Sequence, residues 1–87
     1  MTGNWAIYGE ESSFARKYVE AEQQKVNLLV CSGEKGEFSL IIEAGIESIS
    51  VVLKNSTLDA ACEEADDFAR EYFRDKAKLF EEIADRL

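Results

Sequence analysis

The sequence predicts an α+β fold, in which an antiparallel sheet of three or four strands packs against an N-terminal helix and one or two C-terminal helices. Two patterns predict it: apolar and polar residues alternate through the middle of the chain, and apolar residues recur at helical spacing towards its end. With 87 residues, 46% of them hydrophobic, the chain can build one core but not two. Residues 1–87 are therefore expected to form a single compact domain.

The N-terminal part contains a short β-prone segment and a candidate helix. Residues 5–8 are expected to form either an edge strand or an extended arm. Ser12 or Ser13 can cap a helix that begins near Phe14, where apolar residues recur at helical spacing. An extended conformation of residues 16–20 remains an alternative, because Tyr18 and its neighbour Val19 favour strands.

The middle of the chain predicts three antiparallel strands at residues 26–31, 38–42 and 48–53. Residues 32–36 make the first turn, and Ala44 with Gly45 makes the second. The alternation places Phe38, Leu40 and Ile42 on one face. We expect a helix to cover that face and the opposite face, which carries Ser48 and Ser50, to be mostly polar.

Residues 57–87 read as helix almost throughout. Ser56, with Asp59 three residues later, resembles a capping box. One straight helix of this length would extend about 45 Å, whereas a domain of this size has a radius of gyration of about 12 Å. We therefore expect either a break at residues 74–76, which gives two helices, or an overhang that is buried in a homodimer.

The charge balance indicates the kind of partner. The chain has 18 acidic and 10 basic residues, hence a formal net charge of −8, which repels nucleic acid and anionic lipid and attracts basic protein surfaces. It has no histidine, no glycine-rich phosphate loop and no apolar run long enough to span a membrane. We therefore expect no enzymatic activity, no cofactor, no direct contact with nucleic acid or membrane, and a cytoplasmic location. Cys31 and Cys62 are expected to be reduced.

An acidic row is the clearest constellation in the sequence: carboxylates recur every four residues at Asp59, Glu63, Asp67, Glu71 and Asp75. Each step rises about 6 Å along a helix and turns by about 40°, so the row follows one side. Asp59 suits a helix N-terminus, and basic residues three positions later can neutralise the second half of the row. No Lys or Arg lies between Asn55 and Ala69.

The candidate partner-binding residues come from this row and from two carboxylates beside it. A calcium loop requires a central glycine, and helical di-metal sites usually include histidine, so we expect no metal here. The candidates are Asp59, Glu63, Glu64, Asp66, Asp67 and Glu71.

In size, acidity and outline, the chain resembles the small phage-encoded inhibitors of host defence, which include anti-CRISPR proteins. The resemblance covers the whole chain and rests on no shared motif. It implies an inhibitor in the host-cell cytoplasm that occludes a basic nucleic-acid site of a protein or nucleoprotein effector complex. Two alternatives remain: an immunity protein or antitoxin that neutralises a toxin, and a structural accessory subunit that dimerises through the C-terminal helix.

Overall fold

A computed structural model describes residues 5–8, 14–21 and 24–87. In this part of the chain, five antiparallel strands form one open sheet in the order β1-β2-β3-β4-β5, so that each strand pairs with its neighbour in sequence. One long helix follows the sheet. The elements are β1 (Ala6–Tyr8), β2 (Phe14–Ala21), β3 (Gln24–Ser32), β4 (Phe38–Ala44), β5 (Glu47–Val52) and α1 (Leu58–Asp85).

The α+β class and the antiparallel sheet are confirmed, but the predicted N-terminal helix is wrong. Residues from Phe14 onward form β2, which pairs with β3 along its full length from Phe14↔Cys31 to Ala21↔Gln24. The backbone ladder and the burial of Ala15 outweigh the local helical spacing, because tertiary pairing overrides propensity. The proposed caps, Ser12 and Ser13, lie outside the described residues.

The three predicted middle strands are present, and β1 and β2 extend the sheet to five. The segment after Trp5 is the edge strand β1, which pairs with β2. The turns also agree with the sequence: Gly36 and Gly45 adopt positive φ angles of 83° and 64°, which glycine tolerates best.

The core lies between one face of the sheet and the first half of α1. Register puts Val30, Leu40 and Val51 in one row of that face and Leu28, Ile42 and Ile49 in the next. The helix meets these large side chains with small ones, which lets it lie close to the sheet. The buried helical residues are Ala61, Cys62, Ala65 and Ala69.

Among the residues that the structure describes, no helix covers the other face of the sheet, and this face is less polar than expected. Ser48 and Ser50 lie on this face, as predicted, but register also places Leu29 and Ile41 side by side there. Val52, also on this face, is 67% exposed. The sequence prediction of a mostly polar face is therefore wrong for its centre.

The C-terminal segment is a single helix of 28 residues, so the predicted break at residues 74–76 does not occur. Thr57, and not Ser56, is the N-cap: its side chain accepts a hydrogen bond from the Ala60 backbone N–H at 3.3 Å. At about 1.5 Å per residue, α1 is about 42 Å long. It sets the longest dimension of the molecule, 51 Å. Tyr72 and Phe73 still pack against the core, and from Ala77 onward every residue of the helix is exposed.

Candidate functional site

The first four members of the acidic row lie on the side of α1 that faces away from the sheet, and Asp75 lies on its flank. Ala61, Ala65 and Ala69 fix the buried side of the helix. At 100° per residue, Glu63 and Asp67 lie nearly opposite Ala65, so they point towards solvent. All five members of the row are exposed.

Asp66 is engaged within the fold. It lies about 100° from Ala65, on the flank of α1 next to β2. Its Oδ1 accepts from Lys17 Nζ at 2.9 Å, and its Oδ2 accepts from Trp5 Nε1 at 3.2 Å. Lys17 Nζ also lies 5.7 Å from the centre of the Trp5 ring, within the range of a cation–π interaction. Asp66 therefore joins the helix to the N-terminal part of the sheet, and its carboxylate is already occupied.

Glu64 is also engaged within the fold, on the opposite flank of α1. Its carboxylate accepts from the backbone N–H groups of Lys54 and Asn55, at 2.9 and 3.0 Å, and from the Asn55 side-chain amide at 2.8 Å. Partial burial raises the pKa of Glu64, but these donors outweigh it, so the net pKa lies below its ordinary value. Glu64 therefore holds the loop between β5 and α1 in place.

The remaining four candidates, Asp59, Glu63, Asp67 and Glu71, belong to the acidic row. Asp67 pairs with Arg70 at 2.9 Å, as the three-residue spacing predicts, and both side chains are more than half exposed. Within the part of the chain that the structure describes, the other three form no ion pair. Their charges therefore remain available to a partner.

The helix holds most of the negative charge of the chain. It carries ten acidic and four basic side chains, a surplus of six out of the net eight. The surplus is concentrated before Arg70, the first basic residue after Lys54. The first half of α1 therefore presents a field that attracts cationic groups.

Both cysteines are free thiols. Cys62 lies on the face of α1 that packs on the sheet and is fully buried. Burial, together with the nearby carboxylates of Asp66 and Asp59, raises the pKa of its thiol to about 11. Its thiol therefore stays protonated at neutral pH and is a poor nucleophile. Cys31 lies partly exposed on the helix-free face of the sheet.

Two further features concern metals and membranes. Among residues 5–8, 14–21 and 24–87, no three or more Cys, Asp or Glu side chains come together in a way that would hold a metal ion. No helix in those ranges combines the length and the apolar character that crossing a membrane requires.

Comparison of this chain with protein-family models, with curated proteins and with solved structures gave no match.

Sequence reasoning treated Glu64 and Asp66 as equivalent to the acidic row, and it missed their partners. Lys17 occupies a position of β2 that faces the helix, where alternation would call for an apolar residue. Once residues 14–21 are read as a strand, an inward lysine signals a carboxylate partner, since buried charges are paired. With the segment read as a helix, that signal could not be recognised.

Proposed function

We propose that this protein is a binding protein that inhibits a macromolecular partner by occupying a basic site, of the kind that otherwise holds nucleic acid, with the acidic row. The observation that supports this most directly is the exposure of Asp59, Glu63, Asp67 and Glu71 on a side of α1 that the fold does not use.

The spacing of the row suits such a site. Successive carboxylates are about 6 Å apart, which is comparable to the separation of phosphates along one strand, and Asp59 to Glu71 covers about 18 Å. Arginine and lysine side chains that bind phosphates also form strong charge-assisted hydrogen bonds with carboxylates. The rigid helix holds the row in place before binding, which lowers the entropic cost of association.

The role of the row is tested with a variant that replaces its first four acids by amides, D59N/E63Q/D67N/E71Q. Partners of the tagged wild-type chain are captured from the cell in which it acts, and each purified partner is then titrated at low and moderate salt. We expect the variant to bind at least thirtyfold more weakly, because four charge pairs at about 0.5–1 kcal/mol each are lost. Its affinity should also depend less on salt.

A matched control makes the same change in charge elsewhere. E34Q/E43Q/E81Q/D85N removes four exposed acids that lie outside the row and form no hydrogen bond or ion pair with described residues. Its affinity should stay within about threefold of wild type, since only the long-range field changes. Equal affinity of wild type and the row variant would refute the role of the acidic row.

Occlusion is tested separately, with a labelled oligonucleotide that binds the captured partner. The wild-type chain should displace the oligonucleotide stoichiometrically, and the row variant should not. Simultaneous binding of the chain and the oligonucleotide would show that the proposed mode of inhibition is wrong, even if the row does form the interface.

A further inference from the structure

The second half of α1 exposes an apolar stripe that the fold leaves uncovered. From Ala77 onward every residue is exposed, and we call residues 77–87 the overhang. The helical face that packs on the sheet at Ala65 and Ala69 continues into the overhang, where it passes the β4–β5 turn and its side chains become exposed. Its members are Leu79 (52% exposed), Phe80 (61%), Ile83 (48%) and Leu87 (101%).

We propose that a second copy of this chain covers the stripe, with the two overhangs packed antiparallel about a two-fold axis near Phe80. The partner is inferred from the order of charges beside the stripe. Along one flank of the stripe lie Asp75, Glu82 and Arg86, and Glu82 pairs with Arg86 within the helix at 3.3 Å. In an antiparallel copy the acidic Asp75 and the basic Arg86 exchange places along this flank, so each Asp75 meets Arg86 of the other copy.

The other flank and the stripe itself fit the same register. The register that pairs Asp75 with Arg86 also places Ala77 opposite Ala84, so small residues meet and the helices can approach closely. The two Phe80 side chains meet near the axis, and Leu79 lies against Ile83 of the second copy. One register thus satisfies the charges, the small residues and the apolar stripe together.

The charge and the area also permit self-association. Although the chain carries a net charge of −8, residues 74–87 contain four acidic and four basic side chains, so this end of the helix is not self-repelling. The four stripe residues and the fully exposed Ile46 at the β4–β5 turn each expose roughly 100–200 Å². Together they supply most of the about 800 Å² per partner that a standard interface buries.

A groove at the base of the overhang receives the far end of the second copy. It has a volume of about 530 Å³ and lies between the β4–β5 turn and α1, where Ile46, Phe73 and Ala77 are among its lining residues. The register places Leu87 of the second copy next to Phe73 and Ala77. That copy's overhang thereby continues the layer of the sheet beneath α1, at the spacing of about 10 Å typical of packed helices.

Sedimentation velocity of the full chain over a wide concentration range tests the dimer. Wild type should shift from monomer to dimer as concentration rises, and Phe80→Glu should raise the dissociation constant at least a hundredfold. Because Phe80 is largely exposed in the monomer, this variant should keep its far-UV circular dichroism spectrum. Val52→Glu, on the helix-free face of the sheet, is the matched control and should dimerise like wild type.

Charge exchange tests the antiparallel direction. Asp75→Lys should weaken dimerisation about tenfold, since it opposes Arg86 of the second copy twice in each dimer. Adding Arg86→Glu to that variant should restore the wild-type dissociation constant. Any of three results would overturn the proposal. The chain could stay monomeric at all concentrations, the dimer could be disrupted by Val52→Glu and not by Phe80→Glu, or Arg86→Glu could fail to restore dimerisation of the Asp75→Lys variant. None of these outcomes bears on Asp59, Glu63, Asp67 and Glu71, which lie on the side of α1 that faces away from the stripe.

Discussion

Replacing Asp66 or its neighbour Asp67 by alanine should have very different effects, although the two residues are adjacent acids in the same helix. Asp66 accepts from Lys17 and Trp5, whereas Asp67 forms one exposed pair with Arg70. Both positions are in the middle of α1, so the gain in helix propensity from Asp to Ala, about 0.5 kcal/mol, is common to both. The comparison therefore isolates the tertiary contacts.

The expected loss for Asp66→Ala follows from its two contacts. Hydrogen bonds to charged groups contribute about 1.5–3 kcal/mol each, and the lower end applies here because the Lys17 and Asp66 side chains are 20% and 28% exposed. After the gain in propensity, the free energy of unfolding should fall by about 2.5 kcal/mol, with a decrease in Tm of about 14 °C for a chain of this length. Asp67→Ala should change the free energy of unfolding by less than about 0.5 kcal/mol.

Urea denaturation measures both variants. Trp5 is the single tryptophan, is 6% exposed and donates to Asp66, so its fluorescence reports on the contact directly, while circular dichroism at 222 nm follows α1. A double-mutant cycle with Lys17→Ala should give a coupling of about 1 kcal/mol. An Asp66→Ala variant as stable as wild type, or an Asp67→Ala variant equally destabilised, would refute the assignment of Asp66 to the fold and Asp67 to the surface.

Three further predictions concern single side chains. Glu64→Gln should lower the urea midpoint at neutral pH. Because the folded pKa of Glu64 is depressed, the stability that its carboxylate contributes is present above about pH 5 and disappears as the pH falls through that pKa. The midpoints of wild type and variant should therefore converge in acid, and a difference that stays constant with pH would contradict this. Under native conditions a thiol reagent should modify Cys31 quickly and Cys62 only as fast as the helix opens, which mass spectrometry of the peptides resolves; equal rates would contradict the burial of Cys62. Gly45→Ala should lower the free energy of unfolding, measured by urea denaturation, by about 1 kcal/mol, because the φ of 64° at this position is left-handed. Steric overlap does not contribute, since the added Cβ would meet Gln24 Nε2 at an ordinary 3.6 Å. An unchanged urea midpoint would contradict this source of strain.

The parts of the fold that could be predicted are those in which local pattern and tertiary role agree. Phe38, Leu40 and Ile42 alternate with outward residues, and all three are buried. The turn at Gly45 and the long C-terminal helix also follow from local chemistry. The prediction for the segment around Lys17 was wrong because a charged residue occupies an inward strand position, which breaks the apolar alternation of a half-buried strand.

The candidate site could be predicted only as a group. The spacing of Asp59, Glu63 and Asp67 specifies that they share one side of a helix, but spacing does not reveal what lies beside that helix. Glu64 and Asp66 are as acidic and as close in sequence as their neighbours. Their roles depend on the backbone N–H groups of Lys54 and Asn55 and on Lys17, donors that the sequence alone does not place.

The sequence by itself determined the α+β class, the period-two middle strands, the acidic character of α1 and the placement of the acidic row along one side of a helix, because each follows from composition or from a short-range period. Tertiary structure alone decided that residues 14–21 are a strand, that Glu64 and Asp66 belong to the fold, and that α1 is one unbroken helix. The roles of Glu64 and Asp66 depend on contacts between residues 10 to 61 positions apart, as in Lys54 with Glu64 and Trp5 with Asp66. The free energy of such contacts is set by packing and pairing across the core, which no local window of sequence contains.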